Sequence, residues 1–218
     1  MSDPTPIRVL LVDDQELIRA GFSMILEIEE HVEVVGEARD GDEAQRQVAA
    51  LSPDVVLMDV QMPGTDGITA TERIVAEHPD TRVLILTTFD DDEYLFEALR
   101  AGASGFLLKN CPPEDLVSAI GLAAQGHGLL APEVTRRVIA RSTARARGDA
   151  TVLDDLTDRE RDVLRALARG LSNAEIAAEM YVSSATVKSH VSRILTKLGA
   201  RDRVQAVIVA FESGLMDD

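Results

Sequence analysis

The N-terminal part of the sequence alternates short apolar runs with segments of helical periodicity, and this alternation restricts the fold more than any other feature. The apolar runs are IRVLLV (7–12), VEVVGEA (32–38), DVVLMD (54–59), RVLILTT (82–88) and SGFLLK (104–109). The first, third and fourth are apolar enough for burial on both faces, which is typical of parallel strands. Helical segments lie between and after them, near 15–29, 41–51, 66–77, 91–101 and 113–125. The pattern predicts an α/β, doubly wound, five-stranded parallel sheet over residues 1–126.

Polar side chains stand where these predicted strands end. Asp13 and Asp14 follow the first strand, Asp59 ends the third, Thr87 ends the fourth and Lys109 ends the fifth. Because ligands of such sheets bind outside the carboxyl ends of the strands, we expect these side chains to meet at one edge. Each aspartate taken alone is equally well explained as a turn or helix-capping residue.

A cluster of carboxylates at this edge implies a cation. Carboxylates held close together repel one another, and oxygen ligands without His or Cys suit Mg²⁺. An aspartate beside Mg²⁺ can act as a nucleophile toward a phosphoryl group. Thr87 could then donate a hydrogen bond to one phosphoryl oxygen, and Lys109 could neutralise another.

Composition excludes several classes of protein. The single cysteine, Cys111, forms no intramolecular disulfide, and no Cys/His cluster has zinc-ligand spacing. No window approaches the roughly 18 apolar residues of a membrane span, and the N-terminus lacks the pattern of a secretory signal. We therefore expect a cytoplasmic protein without a membrane partner.

The net charge of −16 hides an uneven distribution along the chain. The acidic excess lies in the first 135 residues. The segment 180–203, by contrast, carries one acidic residue among several basic ones: Lys188, Arg193, Lys197, Arg201 and Arg203 against Asp202. This local positive charge is compatible with nucleic-acid binding.

The C-terminal part is expected to be all-α. A polar, basic stretch, RSTARARGDA (141–150), preceded by a short helical segment at 132–140, predicts a linker over 127–150. From residue 151 to 218 the pattern is helical, with starts marked by capping signals at Thr157, Ser172 and Ser183, and with Asp202 or Arg201 opening the last helix. Four helices follow from these signals.

The third of these helices has one packing face and one small, polar face. The stripe Val187, Val191, Ile194 and Leu198 lies opposite Ala185, Ser189, Ser192 and Thr196. A helix with such an outer face, flanked by Lys188 and Arg193, can enter a major groove. A solvated helix face explains the polarity equally well, but less easily the short preceding helix and tight turn.

The last helix carries small residues opposite its apolar face. They are Ala206, Val209, Ala210 and Ser213. Such a face could form a two-fold interface between copies, although scattered surface alanines are an equal alternative.

Four motifs of the N-terminal part, VDD (12–14), DVQMPGTDG (59–67), LTTFDDDEY (86–94) and ALRAGASGFLLK (98–109), resemble the receiver domain of bacterial two-component response regulators. The resemblance covers most of residues 7–126 and implies a flavodoxin-like domain with Asp59 as phosphoacceptor. It implies Mg²⁺ ligands at Asp13, Asp14, Asp59 and the Gln61 main-chain carbonyl. It also implies a switch hydroxyl at Thr87, a switch aromatic at Phe106 and a phosphate-contacting cation at Lys109.

Residues 156–215 resemble the LuxR-type helix-turn-helix, and with the receiver this points to the NarL/FixJ family. The family pattern directs Lys188, Ser189 and Ser192 toward bases, with affinity depending also on Arg193 and Lys197. It favours the last-helix face as a dimer interface.

The sequence hypothesis is a transcription factor controlled by phosphorylation, and not an enzyme that turns over a metabolite. The implied partners are a sensor histidine kinase, double-stranded DNA, a second copy of the phosphorylated chain and RNA polymerase. Two alternatives stay open. One is a Mg²⁺-dependent phosphatase or phosphotransferase that uses Asp59, and the other is a constitutive DNA-binding protein whose receiver is only an interaction module.

Overall fold

The computed structural model describes residues 5–88, 92–126 and 150–216. The chain divides into two compact units, residues 1–129 and 130–218. The linker predicted over 127–150, with its short helix at 132–140, lies outside the described residues apart from its last position. Among the helices in the described ranges, none is long and apolar enough to cross a bilayer.

The first unit alternates five strands with five helices. The strands are β1 (Ile7–Val12), β2 (Val32–Ala38), β3 (Val55–Asp59), β4 (Arg82–Thr87) and β5 (Gly105–Leu108), and the helices are α1 (Glu16–Leu26), α2 (Gly41–Leu51), α3 (Gly67–Glu77), α4 (Asp92–Arg100) and α5 (Pro113–Ala124). All neighbouring strands pair in parallel, in the order β2-β1-β3-β4-β5. The predicted α/β, five-stranded parallel sheet is confirmed.

The central strands are buried because helices cover both faces of the sheet. All five residues of β3 are buried, as the continuous apolar run predicted. On one face, Phe22 and Leu26 of α1 pack with Leu116 and Ile120 of α5 against β1, β3 and β4. The strand order reverses beside β1. The chain therefore leaves β1 and β3 toward opposite faces of the sheet, and a crevice opens between their carboxyl ends.

The second unit is helical, also as predicted. A short 3₁₀ turn (Ala150–Leu153) precedes α6 (Asp158–Ala168), α7 (Asn173–Glu179), α8 (Ser184–Leu198) and α9 (Arg203–Glu212). Thr157 and Ser172 form reciprocal capping boxes, and Ser183 and Asp202 accept hydrogen bonds from the first turns of the following helices. The predicted caps are present, with Asp202 rather than Arg201 at the last helix, so each helix begins where its sequence signal stands.

Candidate phosphoacceptor site and DNA-binding helix

Three carboxylates meet at the carboxyl edge of the sheet. Asp13 and Asp14 follow β1, and Asp59 is the last residue of β3. Each can offer an oxygen so that the three oxygens lie within 4.8 Å of one another. Asp13 and Asp59 are buried, whereas Asp14 is exposed. The cluster is therefore a small acidic pocket that is open on the Asp14 side.

Lys109 reaches into this pocket from the end of β5. Its Nζ lies 2.6 Å from Asp13 Oδ2 and 3.0 Å from Asp59 Oδ1, with all three side chains almost wholly buried. The Lys109 main-chain N–H donates to the Thr87 carbonyl at 2.8 Å, which fixes where the side chain starts. One ammonium thus bridges two carboxylates, and the cluster keeps an excess of negative charge.

The surroundings of the Asp59 carboxyl disfavour its ionised form. Burial raises its pKa above the usual value, and the nearby Asp13 charge adds to this, while Lys109 and the Val60 N–H act in the opposite direction. The Val60 N–H donates to Asp59 Oδ1 at 2.9 Å. A divalent cation would relieve the remaining repulsion. The purely oxygen donor set of this pocket fits Mg²⁺.

The other expected residues of the edge lie in β4 and β5. Thr87 is 2% exposed and ends β4, one position beyond Leu86, the register partner of Asp59. Phe106 is 6% exposed and pairs with Ile85 inside the sheet. The structure thus joins the aspartates and Lys109 in one cluster, places Thr87 at the same edge, and buries Phe106 farther back in β5.

The Gln61 side chain points to α4. Its Nε2 donates to the Tyr94 hydroxyl at 3.0 Å. The contact connects the loop after Asp59 with the helix that follows β4. Sequence reasoning assigned only the Gln61 main-chain carbonyl, and nothing in the local pattern indicates a partner 33 positions away.

Gly67 shapes the pocket in a way that sequence reasoning missed. A Cβ at this position would lie 1.8 Å from the Asp59 carbonyl oxygen, because α3 begins directly against the end of β3. The Gly67 N–H also donates to the Val60 carbonyl at 3.0 Å. The glycine in PGTDG is therefore required by a close backbone approach. A strand followed by an Asp-Gly pair is the available signal.

In the second unit, α7 and α8 form a helix-turn-helix. Val187 and Ile194 of α8 are buried, and the opposite side of the helix is open to solvent. The exposed set contains all five residues predicted to contact DNA: Lys188, Ser189, Ser192, Arg193 and Lys197. This surface has the size and polarity expected of a helix that enters the major groove.

Lys197 differs from the other predicted DNA contacts. Its Nζ lies 2.6 Å from Glu160 Oε2, whose carboxylate is buried at the start of α6. The Lys197 hydrogen bond, together with the Thr157 N–H, lowers the pKa of Glu160 from 4.5 to about 2. Because its charge is already paired with Glu160, we expect Lys197 to contribute less to DNA affinity than Lys188.

The predicted dimer face on α9 is not exposed. Ala206 and Ala210 are completely buried, Ser213 is 8% exposed, and only Val209 is half-exposed to solvent. Ser213 Oγ donates to the Ala210 carbonyl at 3.3 Å. The expectation of a free surface here is wrong, because small residues on a helix permit close packing within the chain as readily as contact with a copy.

Comparisons with known proteins match both parts of the chain. Residues 9–121 match the response regulator receiver domain, and residues 154–210 match the bacterial regulatory proteins of the luxR family. The uncharacterized transcriptional regulatory protein YxjL of Bacillus subtilis is 44% identical over 96% of this chain and 97% of its own. The oxygen regulatory protein NreC of Staphylococcus carnosus is 39% identical over 97% and 100%.

A solved structure also spans nearly the whole chain. The crystal structure of ChrA, a response regulator in a heme-sensing two-component system, has 39% identity and a TM-score of 0.54, covering 97% of this chain and 100% of its own. The two domain matches occur in the same order as the acidic pocket and the helix-turn-helix. The chain therefore belongs to the NarL/FixJ family of DNA-binding response regulators, which are transcriptional regulators in two-component systems.

Proposed function

We propose that Asp59 accepts a phosphoryl group and that this modification controls DNA binding by α8. The observation that carries the proposal is the buried Asp59 carboxylate, 3.0 Å from Lys109 Nζ and within reach of Asp13 and Asp14. A carboxylate at the tip of a buried strand, beside a cation and two further acids, is suited to phosphoryl transfer. Asp54, by comparison, immediately precedes the same strand and is exposed.

The proposed metal ligands are the carboxylates of Asp13, Asp14 and Asp59 with the main-chain carbonyl of Gln61. Bound Mg²⁺ would offset the repulsion between this pocket and an incoming phosphoryl group, and would polarise one of its oxygens. The fit rests on the oxygen-only donor set and on the spacing of the three acids.

The covalent step joins an Asp59 carboxylate oxygen to phosphorus. With a phosphohistidine of the partner kinase as donor, the phosphorus–nitrogen bond breaks, and its electron pair stays on the imidazole nitrogen, which takes a proton from solvent. Lys109 can turn from Asp59 to a phosphoryl oxygen while staying near Asp13, and the Thr87 hydroxyl can donate to another. A small phosphodonor would serve in the same way.

Phosphorylation then shifts an equilibrium between two conformations. The new charge draws Thr87 and Lys109 toward the phosphoryl oxygens. Phe106, which lies in β5 just before Lys109, repacks as these residues move. The proposed result is homodimerisation and tighter promoter binding, with half-sites about one helical turn apart or a multiple of it. The buried face of α9 does not support a dimer through Ala206 and Ala210 in the conformation described.

The DNA-contact set we propose consists of exposed residues of α8. Lys188 and Arg193 meet phosphates or guanine edges, while Ser189 and Ser192 allow the helix to approach the bases closely. RNA polymerase and a sensor histidine kinase are the proposed protein partners, in the cytoplasm.

The phosphatase alternative is disfavoured by the residues near Asp59. Steady hydrolysis of phosphomonoesters needs an acid-base group beside the nucleophile. The nearby Gln61 carries an amide, which cannot transfer protons in this way, and its Nε2 is bonded to Tyr94. We therefore propose that the chain turns over no metabolite.

A labelling experiment tests the phosphoacceptor. The full chain is incubated with Mg²⁺ and acetyl phosphate, and intact-mass spectrometry measures the phosphorylated fraction. Asp59→Ala should abolish the added phosphoryl mass, whereas Asp80→Ala, in an exposed turn before β4, should label like the unmodified chain. Persistent labelling of Asp59→Ala would refute the assignment.

A further inference from the structure

Arg19 of α1 forms hydrogen bonds both with the loop after β1, which carries Asp13 and Asp14, and with the edge strand β2. Its Nη1 donates to the main-chain carbonyl of Asp13 at 2.8 Å, and its Nε donates to Glu37 Oε2 at 2.8 Å. The Arg19 side chain is 15% exposed, so its bond to the Asp13 carbonyl is partly buried, whereas Glu37 is 43% exposed at the surface. The main-chain N–H of Arg19 donates to the Gln15 carbonyl at 3.2 Å. Arg19 therefore holds the loop after β1 at two points.

The two aspartates of this loop are held differently. The Asp13 carboxylate accepts from the Gln15 N–H at 2.9 Å and from Lys109 Nζ at 2.6 Å, and its side chain is fixed by these contacts. The Asp14 carboxylate is exposed and, in the described part of the chain, has no hydrogen bond or ion pair. The direction of Asp14 thus depends on the backbone that carries it.

That backbone is oriented by Arg19. The carbonyl of Asp13 belongs to the peptide group that links it to Asp14, and peptide groups are planar. Fixing this carbonyl therefore fixes the peptide plane that contains the Asp14 Cα, and so limits the direction of the Asp14 side chain. A charged guanidinium donor makes a stronger bond to a carbonyl than a neutral donor does.

We propose that Arg19, oriented by Glu37, is a positioning residue for the Mg²⁺ ligand Asp14. The inference rests on the proposed metal site and adds to it two residues that touch neither the ion nor the phosphoryl group. Outer contacts of this kind set the direction of metal ligands and the affinity of the site. Glu37 also offsets the positive charge of Arg19, which would otherwise repel the ion.

Positioning and simple electrostatics predict opposite signs for one substitution. Arg19 is a cation near a cation-binding pocket, so an effect through charge alone would make Arg19→Ala bind Mg²⁺ more tightly. An effect through the Asp13–Asp14 peptide makes the same variant bind more weakly. The sign of the change in the Mg²⁺ dissociation constant therefore separates the two explanations.

Isothermal titration of the full chain with MgCl₂ makes this measurement. We expect Arg19→Ala to raise the dissociation constant about tenfold, the low end for loss of an outer contact. Arg19→Lys should also raise it, because one ammonium lacks the planar fork that reaches both acceptors. Arg46→Ala, an exposed arginine of α2, is the matched control and should leave the constant unchanged.

A double-variant cycle tests the pairing with Glu37. Glu37→Ala should weaken Mg²⁺ binding in the unmodified chain and have little further effect in Arg19→Ala, because its contribution passes through Arg19. Thermal unfolding, followed in parallel, shows that the variants are folded at the titration temperature.

The same titrations distinguish failure of the positioning role from failure of the metal site. Unchanged or tighter Mg²⁺ binding by folded Arg19→Ala and Arg19→Lys, with normal binding by the unmodified chain, would overturn the positioning role alone. Absence of Mg²⁺ binding by the unmodified chain would overturn the metal site and this inference together.

Discussion

Lys197, near the end of α8, lies with its Nζ 2.6 Å from Oε2 of Glu160, in the first turn of α6. The same Glu160 oxygen accepts from the Thr157 N–H and hydroxyl, each at 2.9 Å, to complete the capping box. One carboxylate thus closes the start of α6 and holds the far end of the DNA-binding helix. This ion pair stabilises the packing of α8 against α6 and so fixes the orientation of the exposed face of α8.

Breaking the ion pair between Lys197 and Glu160 should destabilise the helical unit. Lys197→Met leaves a buried carboxylate without its cation, and we expect the free energy of unfolding to fall by about 2 kcal/mol. Urea unfolding of the full chain, followed by circular dichroism, measures the change. Lys188→Met, on the exposed face of the same helix, is the control and should change it by less than about 0.5 kcal/mol.

The stabilisation from Glu160 should depend on pH in a defined window. Its folded-state pKa is lowered from 4.5 to about 2, so the folded chain favours the ionised form. The contribution is complete above pH 4.5 and is lost as the pH falls toward about 2. The stability difference between the unmodified chain and Lys197→Met should be constant near neutral pH and shrink as the pH falls from 4.5 toward about 2. A constant difference across the acid range would contradict the assignment.

Asp59 should have the opposite effect on stability. Its pKa is raised in the folded state, mainly by burial, so the ionised form is disfavoured by folding. At neutral pH and without divalent ions, Asp59→Asn should therefore raise the free energy of unfolding. The gain should shrink as the pH falls through the raised pKa, because protonation of Asp59 then removes the same charge. Denaturant unfolding in EDTA at several pH values measures it, with Asp80→Asn as the exposed control.

The sheet could be predicted from sequence because its determinants are local. The apolar run before Asp59 is long enough for a strand and carries no polar alternation, so burial on both faces was its simplest reading. Parallel strands then bring their carboxyl ends to one edge whatever the details of packing. For this reason the meeting of Asp13, Asp14, Asp59 and Lys109 followed from the ends of three predicted strands.

The rest of the site depends on contacts between distant segments. The family pattern on α8 indicated Lys197 as a DNA contact, but its ion pair with Glu160, 37 positions away, has no sequence signal. The burial of Ala206 likewise depends on what packs against α9, which helical periodicity does not reveal. Arg19 was overlooked because its role depends on a main-chain carbonyl, and such a partner has no sequence signature.

Gly67 provides a steric test of the pocket. Gly67→Ala places a methyl group where the Asp59 carbonyl oxygen lies, so the end of β3 or the start of α3 must shift. We expect a loss of about 3 kcal/mol in the free energy of unfolding and loss of acetyl phosphate labelling. Gly21→Ala is the control, because no atom lies within 4 Å of the added Cβ in α1. That helical substitution should gain about 0.5 kcal/mol and preserve labelling. A Gly67→Ala chain with normal stability would refute the close approach.

The exposed face of α8 leads to a prediction about DNA affinity and its dependence on salt. Lys188 is exposed and, within the described ranges, has no ion-pair partner, so its charge is available to a phosphate or a guanine edge. For a phosphate contact, Lys188→Ala should weaken binding and reduce the slope of log affinity against log salt by about one unit. For a base contact, it should instead cost about 1–3 kcal/mol at one operator position and relax specificity there. Fluorescence anisotropy with operator and scrambled duplexes at several salt concentrations separates these results. Unchanged affinity and slope, with Arg46→Ala as reference, would remove Lys188 from the interface.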